Sequence, residues 1–129
     1  MTRATSTRIC DFRIDDGGFV YATIKDGAQF ELIDAQEALE ATTRLAGGRT
    51  AVLVDMRKIQ SQSKDARAFF TGPEIALHFD AVALLVASPI SRMIANFFLR
   101  IRAQPVPTRL FEDELAARAW LGDLRRAAS

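Results

Sequence analysis

"TAVLVDMRKIQSQSKDARAFF", residues 50–70, decides the architecture. Its first six residues form a continuous apolar run that ends in an aspartate. That is the pattern of a strand covered on both faces, not of one wetted on alternate side chains. From Ser63 the period changes, and Ala66, Phe69 and Phe70 recur at helical spacing. A doubly covered strand that hands over to a helix after a short loop is the repeating unit of a sheet flanked by helices.

The same unit recurs downstream. "AVALLVA" (81–87) is a second doubly covered strand, followed by "SPISRMIANFFLRIRA" (88–103). In that helix Ser88 is an N-cap, Pro89 occupies the first helical position, and Ile90, Met93, Ile94, Phe97, Phe98 and Ile101 form the inward stripe. "PVPTRLF" (105–111) is extended because of its two prolines, with a short strand at or near a sheet edge. "EDELAARAWLGDLRR" (112–126) is an amphipathic helix whose inner face runs through Leu115, Ala119, Trp120 and Leu124.

Upstream, residues 9–14 and 19–24 alternate as the arms of a hairpin around "DDGG" (15–18), where Gly17 and Gly18 accept positive φ. "IDAQEALEATTRLAGG" (33–48) is a helix with Asp34 as N-cap, Glu37 completing a capping box and Gly47 closing the end. Gly72 and Pro73 split off the short helix "PEIALHF" (73–79). The expected fold is α/β: a mixed sheet of about five strands, an antiparallel hairpin followed by β-α repeats, flanked by about four helices. Residues 1–7 read as a frayed tail and residues 8–126 as one domain.

Composition narrows the function. The 129 residues are 49% hydrophobic and 26% charged, with 17 basic and 16 acidic side chains. A net charge of +1 provides no global field for nucleic acid or a membrane surface. One cysteine, Cys10, and one histidine, His78, offer neither a disulfide nor a Cys/His metal site. No signal peptide and no apolar run of membrane-spanning length is visible, so a cytoplasmic protein is expected.

Catalytic patterns are missing too. No Ser or Cys lies in a nucleophile-elbow context, "GGRT" (47–50) lacks the parts of a phosphate loop, and there is no dinucleotide fingerprint. The expectation is a non-enzyme with no cofactor and no metal. Asp55 stands out, because it ends a buried strand at the carboxyl edge of the sheet, where open α/β folds bind ligands. Its plainer role is to accept hydrogen bonds that fix the following turn. Around it, Arg57, Lys58, Gln62, Lys64 and Arg67 form a candidate interaction or ligand loop. Ser88, Ser91 and Arg92 form a candidate anion site at a helix N-terminus, although Ser-Pro there is also a common cap. Asn96 and Leu99 mark the exposed edge of that helix.

The strand "AVLVDMRKI", the loop-helix "SQSKDARAFF" and the long run "VALLVASPISRMIANFFL" with "PVPTRLF" resemble a bacterial group in the STAS superfamily, the SpoIIAA-like or anti-sigma-factor-antagonist-like proteins. The resemblance spans residues 9–124. It implies a STAS-like fold and a regulatory, non-catalytic domain whose partner is a protein: an anti-sigma factor, a kinase-like regulator or a second copy of the chain. It also implies a phosphorylated serine at the start of the second helix, a position that falls on Ser63 with Ser61 beside it. The Asp-Ser-(Ser/Ala/Thr)-Gly signature of antagonists is replaced by "QSKD", so the alternative for Ser63 is an N-cap alone. A second implied class is a carrier or sensor of a small ligand, a lipid or a nucleotide or other anion. An enclosed apolar cavity of roughly 300 Å³ or more would be its mark.

Overall fold

The structure is a computed structural model and describes residues 3–100 and 106–128. Its strands are β1 (Ala4–Ser6), β2 (Cys10–Ile14), β3 (Val20–Ile24), β4 (Gln29–Phe30), β5 (Thr50–Asp55), β6 (Ser61–Gln62), β7 (Phe79–Leu85) and β8 (Thr108–Phe111). The helices are α1 (Leu32–Ala46), α2 (Lys64–Phe70), α3 (Pro73–His78), α4 (Pro89–Leu99) and α5 (Glu114–Ala128). Six strands form one sheet in the order β1-β2-β3-β5-β7-β8. The first three run antiparallel, and β3, β5, β7 and β8 are parallel.

Each parallel step uses a helical crossover, as parallel pairing requires. The strand alternation then sorts the side chains. Ala22, Ile24, Val52 and Leu84 face the layer of α1–α4, and Tyr21, Leu53, Ala83 and Leu85 face α5. Both faces are therefore covered, which is why β5 and β7 read as unbroken apolar runs. β8, which follows directly on Pro107, is an edge strand.

Several local readings change. Ala4–Ser6 is not a frayed tail but the edge strand β1, paired antiparallel with β2 from Ala4↔Arg13 to Ser6↔Asp11. All three residues are exposed, so backbone pairing forms this strand without any apolar pattern to announce it. A second sheet, the parallel pair β4–β6, joins the loop after β3 to the loop after β5. Its strands are two residues long, too short for periodicity to register.

In α1 the cap lies three residues earlier than expected. Glu31 is the N-cap and Asp34 is the N3 residue, whose carboxylate accepts from the Glu31 amide at 2.9 Å. In the β2–β3 turn only Gly18 has positive φ, 84°. Gly17 is required for space, since a Cβ there would lie 2.8 Å from the Phe19 ring.

The two long C-terminal helices are also turned from the expected faces. α4 buries Ser91, Ile94, Ala95 and Phe98, leaving Met93 66% and Phe97 46% exposed. The small residues Ser91 and Ala95 let α4 sit close to the layer beneath, a gain that a count of large apolar side chains does not register. Ile101 lies outside the described residues. α5 buries Ala117 and Leu121, with Trp120 and Leu124 partly covered, while Leu115 and Ala119 face solvent.

Candidate functional site

The loop after β5 is built around Asp55. Its carboxylate accepts from the Arg57 backbone amide at 3.1 Å and from the Arg57 guanidinium at 2.9 and 2.8 Å. This closes the turn with a two-pronged ion pair, so Asp55 is occupied as a loop-fixing residue. The pairing raises the Arg57 pKa further above its ordinary value, keeping the guanidinium charged. Lys58 is exposed, and Ile59 turns the chain back into the core.

Ser61 and Gln62 form β6 against Gln29 and Phe30. The Ser63 amide donates to the Phe30 carbonyl at 2.8 Å, and the Ser63 hydroxyl oxygen accepts from the Ala66 amide at 3.1 Å. Ser63 is therefore the N-cap of α2, pinned on both sides. Lys64 is exposed in the first turn. One turn on, Arg67 lays its guanidinium 4.2 Å from the centre of the Phe97 ring, joining α2 to α4.

The start of α4 is a closed unit. The Ser91 amide donates to the Ser88 hydroxyl oxygen at 3.0 Å, while the Ser91 hydroxyl oxygen accepts from the Ala87 and Ser88 amides at 3.1 and 2.9 Å. Ser91 is fully buried and donates its own proton to the Ser88 carbonyl at 2.9 Å. Arg92 pairs with Glu112. The candidate anion residues are thus brought together, but their polar groups serve the cap and an ion pair. Asn96 and Leu99 are exposed on α4.

Two arrangements have no local sequence signal. One is a charge network around Tyr21, on the α5 side. Tyr21 Oη donates to Glu114 at 2.7 Å, and Arg118 binds Glu114 at 3.1 Å and Asp15 at 2.7 Å. Arg13 also holds Asp15, at 2.9 Å, and stacks 4.3 Å from the Tyr21 ring centre. Burial alone would raise the Asp15 carboxyl, but hydrogen bonds from Arg118, the Gly17 amide and Arg13 outweigh it and hold the group below its ordinary range. The Tyr21 hydrogen bond, helped by Arg118, lowers Glu114 against the opposing effect of burial. Burial and the bond to Glu114 push the Tyr21 phenol up to about 12. The partners of Tyr21 and Asp15 lie 93 and 103 residues away, which is why no motif reveals them.

The other is a cavity of about 100 Å³ between the sheet and the α1–α4 layer, with walls that are almost wholly apolar. It reaches from Cys10 and Ala22 past Val54 to Gln62 and Phe98. It is smaller than the roughly 300 Å³ at which pockets for drug-sized ligands begin. Among the described residues, no group of three or more His, Cys, Asp and Glu side chains is placed to hold a metal ion. No helix among them is long and apolar enough to cross a membrane.

The fold has a counterpart among solved structures. The crystal structure of an uncharacterized protein from the DUF3478 family with a SpoIIAA-like fold, from Shewanella loihica PV-4, superposes with a TM-score of 0.55. It is 18% identical in sequence, over 94% of this chain and 92% of that one. The likeness shows a SpoIIAA-like, hence STAS-like, fold. No curated protein matches the sequence. A family model matches residues 12–125, nearly the whole domain. The chain belongs to the family described as a domain of unknown function, DUF7793.

Proposed function

We propose that this chain is a non-catalytic, cytoplasmic regulatory domain that binds a protein partner through the outer face of α4 and the adjoining turn of α2. The observation that carries the reading is the pair Met93 and Phe97, one helical turn apart, 66% and 46% exposed on α4. Large apolar side chains held together at the surface, with a cation stacked on one of them, are typical of interface anchors. Arg67, stacked on Phe97, adds positive charge to this face, and Lys64 on α2 and Arg100 at the end of α4 are exposed. The fitting partner presents an apolar contact bordered by carboxylates.

Ser63 enters this reading as a cap. Its hydroxyl oxygen already accepts from Ala66, and the residues that identify the antagonist switch are absent around it. A phosphate on Ser63 would add charge of about −1.5 to −2 at the start of α2, next to Lys64. A switch there would alter partner affinity by charge, in a way that an alanine and an aspartate at position 63 separate.

The test is capture of partners from the native host with wild-type protein and with Phe97→Glu, followed by calorimetry on the purified partner. A partner of this face binds wild type and loses at least tenfold in affinity for Phe97→Glu, with Leu115→Glu on the opposite layer as a neutral control. A purified partner that binds all three alike would exclude the face. Equal affinities for Ser63→Ala and Ser63→Asp would exclude the switch.

A further inference from the structure

The two faces of the central strands are covered unequally. On the α5 side, Leu53 and Leu85 are 0% exposed. On the opposite side, Val54 and Val82 of the same strands remain partly open, although four helices lie over that face. Residues at the middle of a six-stranded sheet are ordinarily the best buried in a domain. The gap is the cavity of about 100 Å³, and two of its walls are built from Ala22 on β3 and Ala38 on α1, where larger side chains would have filled it.

Thr42 and Thr108 also line the cavity, and at its loop end the polar group is Gln62. Gln62 lines the cavity, and its side-chain oxygen is buried yet accepts no hydrogen bond from the protein. A buried acceptor left unpaired is destabilising, because it has lost its hydrogen bonds to water. Such groups are rare in folded proteins unless something else supplies the donor. Gln62 lies between Ser61 and Ser63, so this acceptor belongs to the loop that joins β5 to α2.

We propose that this cavity is a binding site for a small neutral amphiphile: a compact apolar body carrying one hydroxyl or N–H donor, which is received by Gln62. A dry apolar cavity of about 150 Å³ takes up benzene, so this one, at about 100 Å³, suits an apolar body of about four heavy atoms. A charged headgroup does not fit, because among the described residues no charged side chain lines the cavity. Nucleotides and intact lipids are too large for it. The site is separate from the Met93–Phe97 face and stands or falls independently of it.

The test uses two isomers of equal size, 1-butanol and methyl propyl ether, which differ in having or lacking a donor. Titration followed by ¹H–¹³C methyl NMR should give saturable shifts at Val54, Val82 and Leu84, with the alcohol bound about fivefold more tightly than the ether, the worth of one neutral hydrogen bond. Gln62→Leu should abolish that difference while keeping binding of the ether. Ala38→Leu should fill the cavity and abolish binding of both, with circular dichroism and melting temperature showing that the fold is kept. Val82→Leu provides the same block from the sheet side should Ala38→Leu disturb α1. The absence of saturable shifts in wild type, or shifts that survive in the filled variants, would overturn the site. Equal affinity for the two isomers in wild type would overturn the role of Gln62.

Discussion

Tyr21 on β3 donates its phenolic proton to Glu114, the first residue of α5, across 2.7 Å and 93 residues of sequence. The bond fastens the last helix to the middle of the sheet, and Arg118 extends it to Asp15 in the β2–β3 turn. Removing the hydroxyl with Tyr21→Phe should therefore loosen α5. Glu114 keeps its bond to Arg118 and the ring keeps its burial, so the expected cost is about 1 kcal/mol. Urea unfolding followed by tryptophan fluorescence suits the measurement, since Trp120 lies on α5 against Phe111.

The same network contributes to the pH response at both ends. Asp15 and Glu114 titrate below their ordinary values of 3.8 and 4.5 in the folded protein. The unfolded chain therefore takes up these protons first as pH falls. Their contribution is present above about pH 5 and is lost on acidification through the lower folded values. At the alkaline end Tyr21 has its pKa raised from 10.0 to about 12. Its contribution is complete below about pH 10 and is lost as pH rises towards 12. Denaturant midpoints measured from pH 3 to pH 11 should show a plateau with both flanks. In Tyr21→Phe the phenol's share of the alkaline decline should disappear.

Ser63 provides a direct comparison of cap and switch. Ser63→Ala removes the acceptor for the Ala66 amide and should lower stability by about 1 kcal/mol. Asparagine and aspartate cap as well as serine does, so Ser63→Asp and Ser63→Asn should lie within a few tenths of wild type. A Ser63→Ala protein as stable as wild type in urea would contradict the cap.

Much of the architecture was legible in the chain because it rests on patterns within single elements. The apolar runs at 50–55 and 81–87, the caps Ser63 and Ser88, and the prolines before β8 each announce themselves locally. Illegible parts depend on pairing between distant segments. β1 has no apolar residue facing a core, and the β4–β6 pair is too short to show a period. The network of Tyr21, Glu114, Arg118 and Asp15 exists only once α5 is docked. For the candidate site, the loop Asp55–Arg67 was visible as a place, but the roles of its residues were not. Asp55 is neutralised by Arg57, and Gln62, with no distinguishing sequence context, carries the unpaired oxygen.

Cys10 reports on the cavity wall from the inside. It is 2% exposed, and burial, reinforced by the nearby Asp11 and opposed by Lys25, pushes its thiol up to about 12. Thiolate is the reactive form, so alkylation by iodoacetamide at pH 8 should be slow in the native protein and should reach one equivalent in denaturant. Rapid native labelling would mean that the β2 edge of the core opens readily.

The facing of α4 is the point on which sequence period and structure disagree most, and a pair of substitutions decides it. A helix with Ile90, Met93, Ile94, Phe97, Phe98 and Leu99 carries more large apolar residues than one face can bury, so the period alone admits two rotations. The structure selects the one that places Ser91 and Ala95 against the layer below. Met93→Gln should then change stability by less than about 0.5 kcal/mol, as an exposed position does. Phe98→Ala should cost about 3 kcal/mol or more, because Phe98 is 9% exposed and edge-on to Phe70 with ring centres 6.3 Å apart. The opposite order of the two costs would rotate α4 by roughly a third of a turn and bury Met93 and Phe97. That result would remove the surface on which partner binding is proposed.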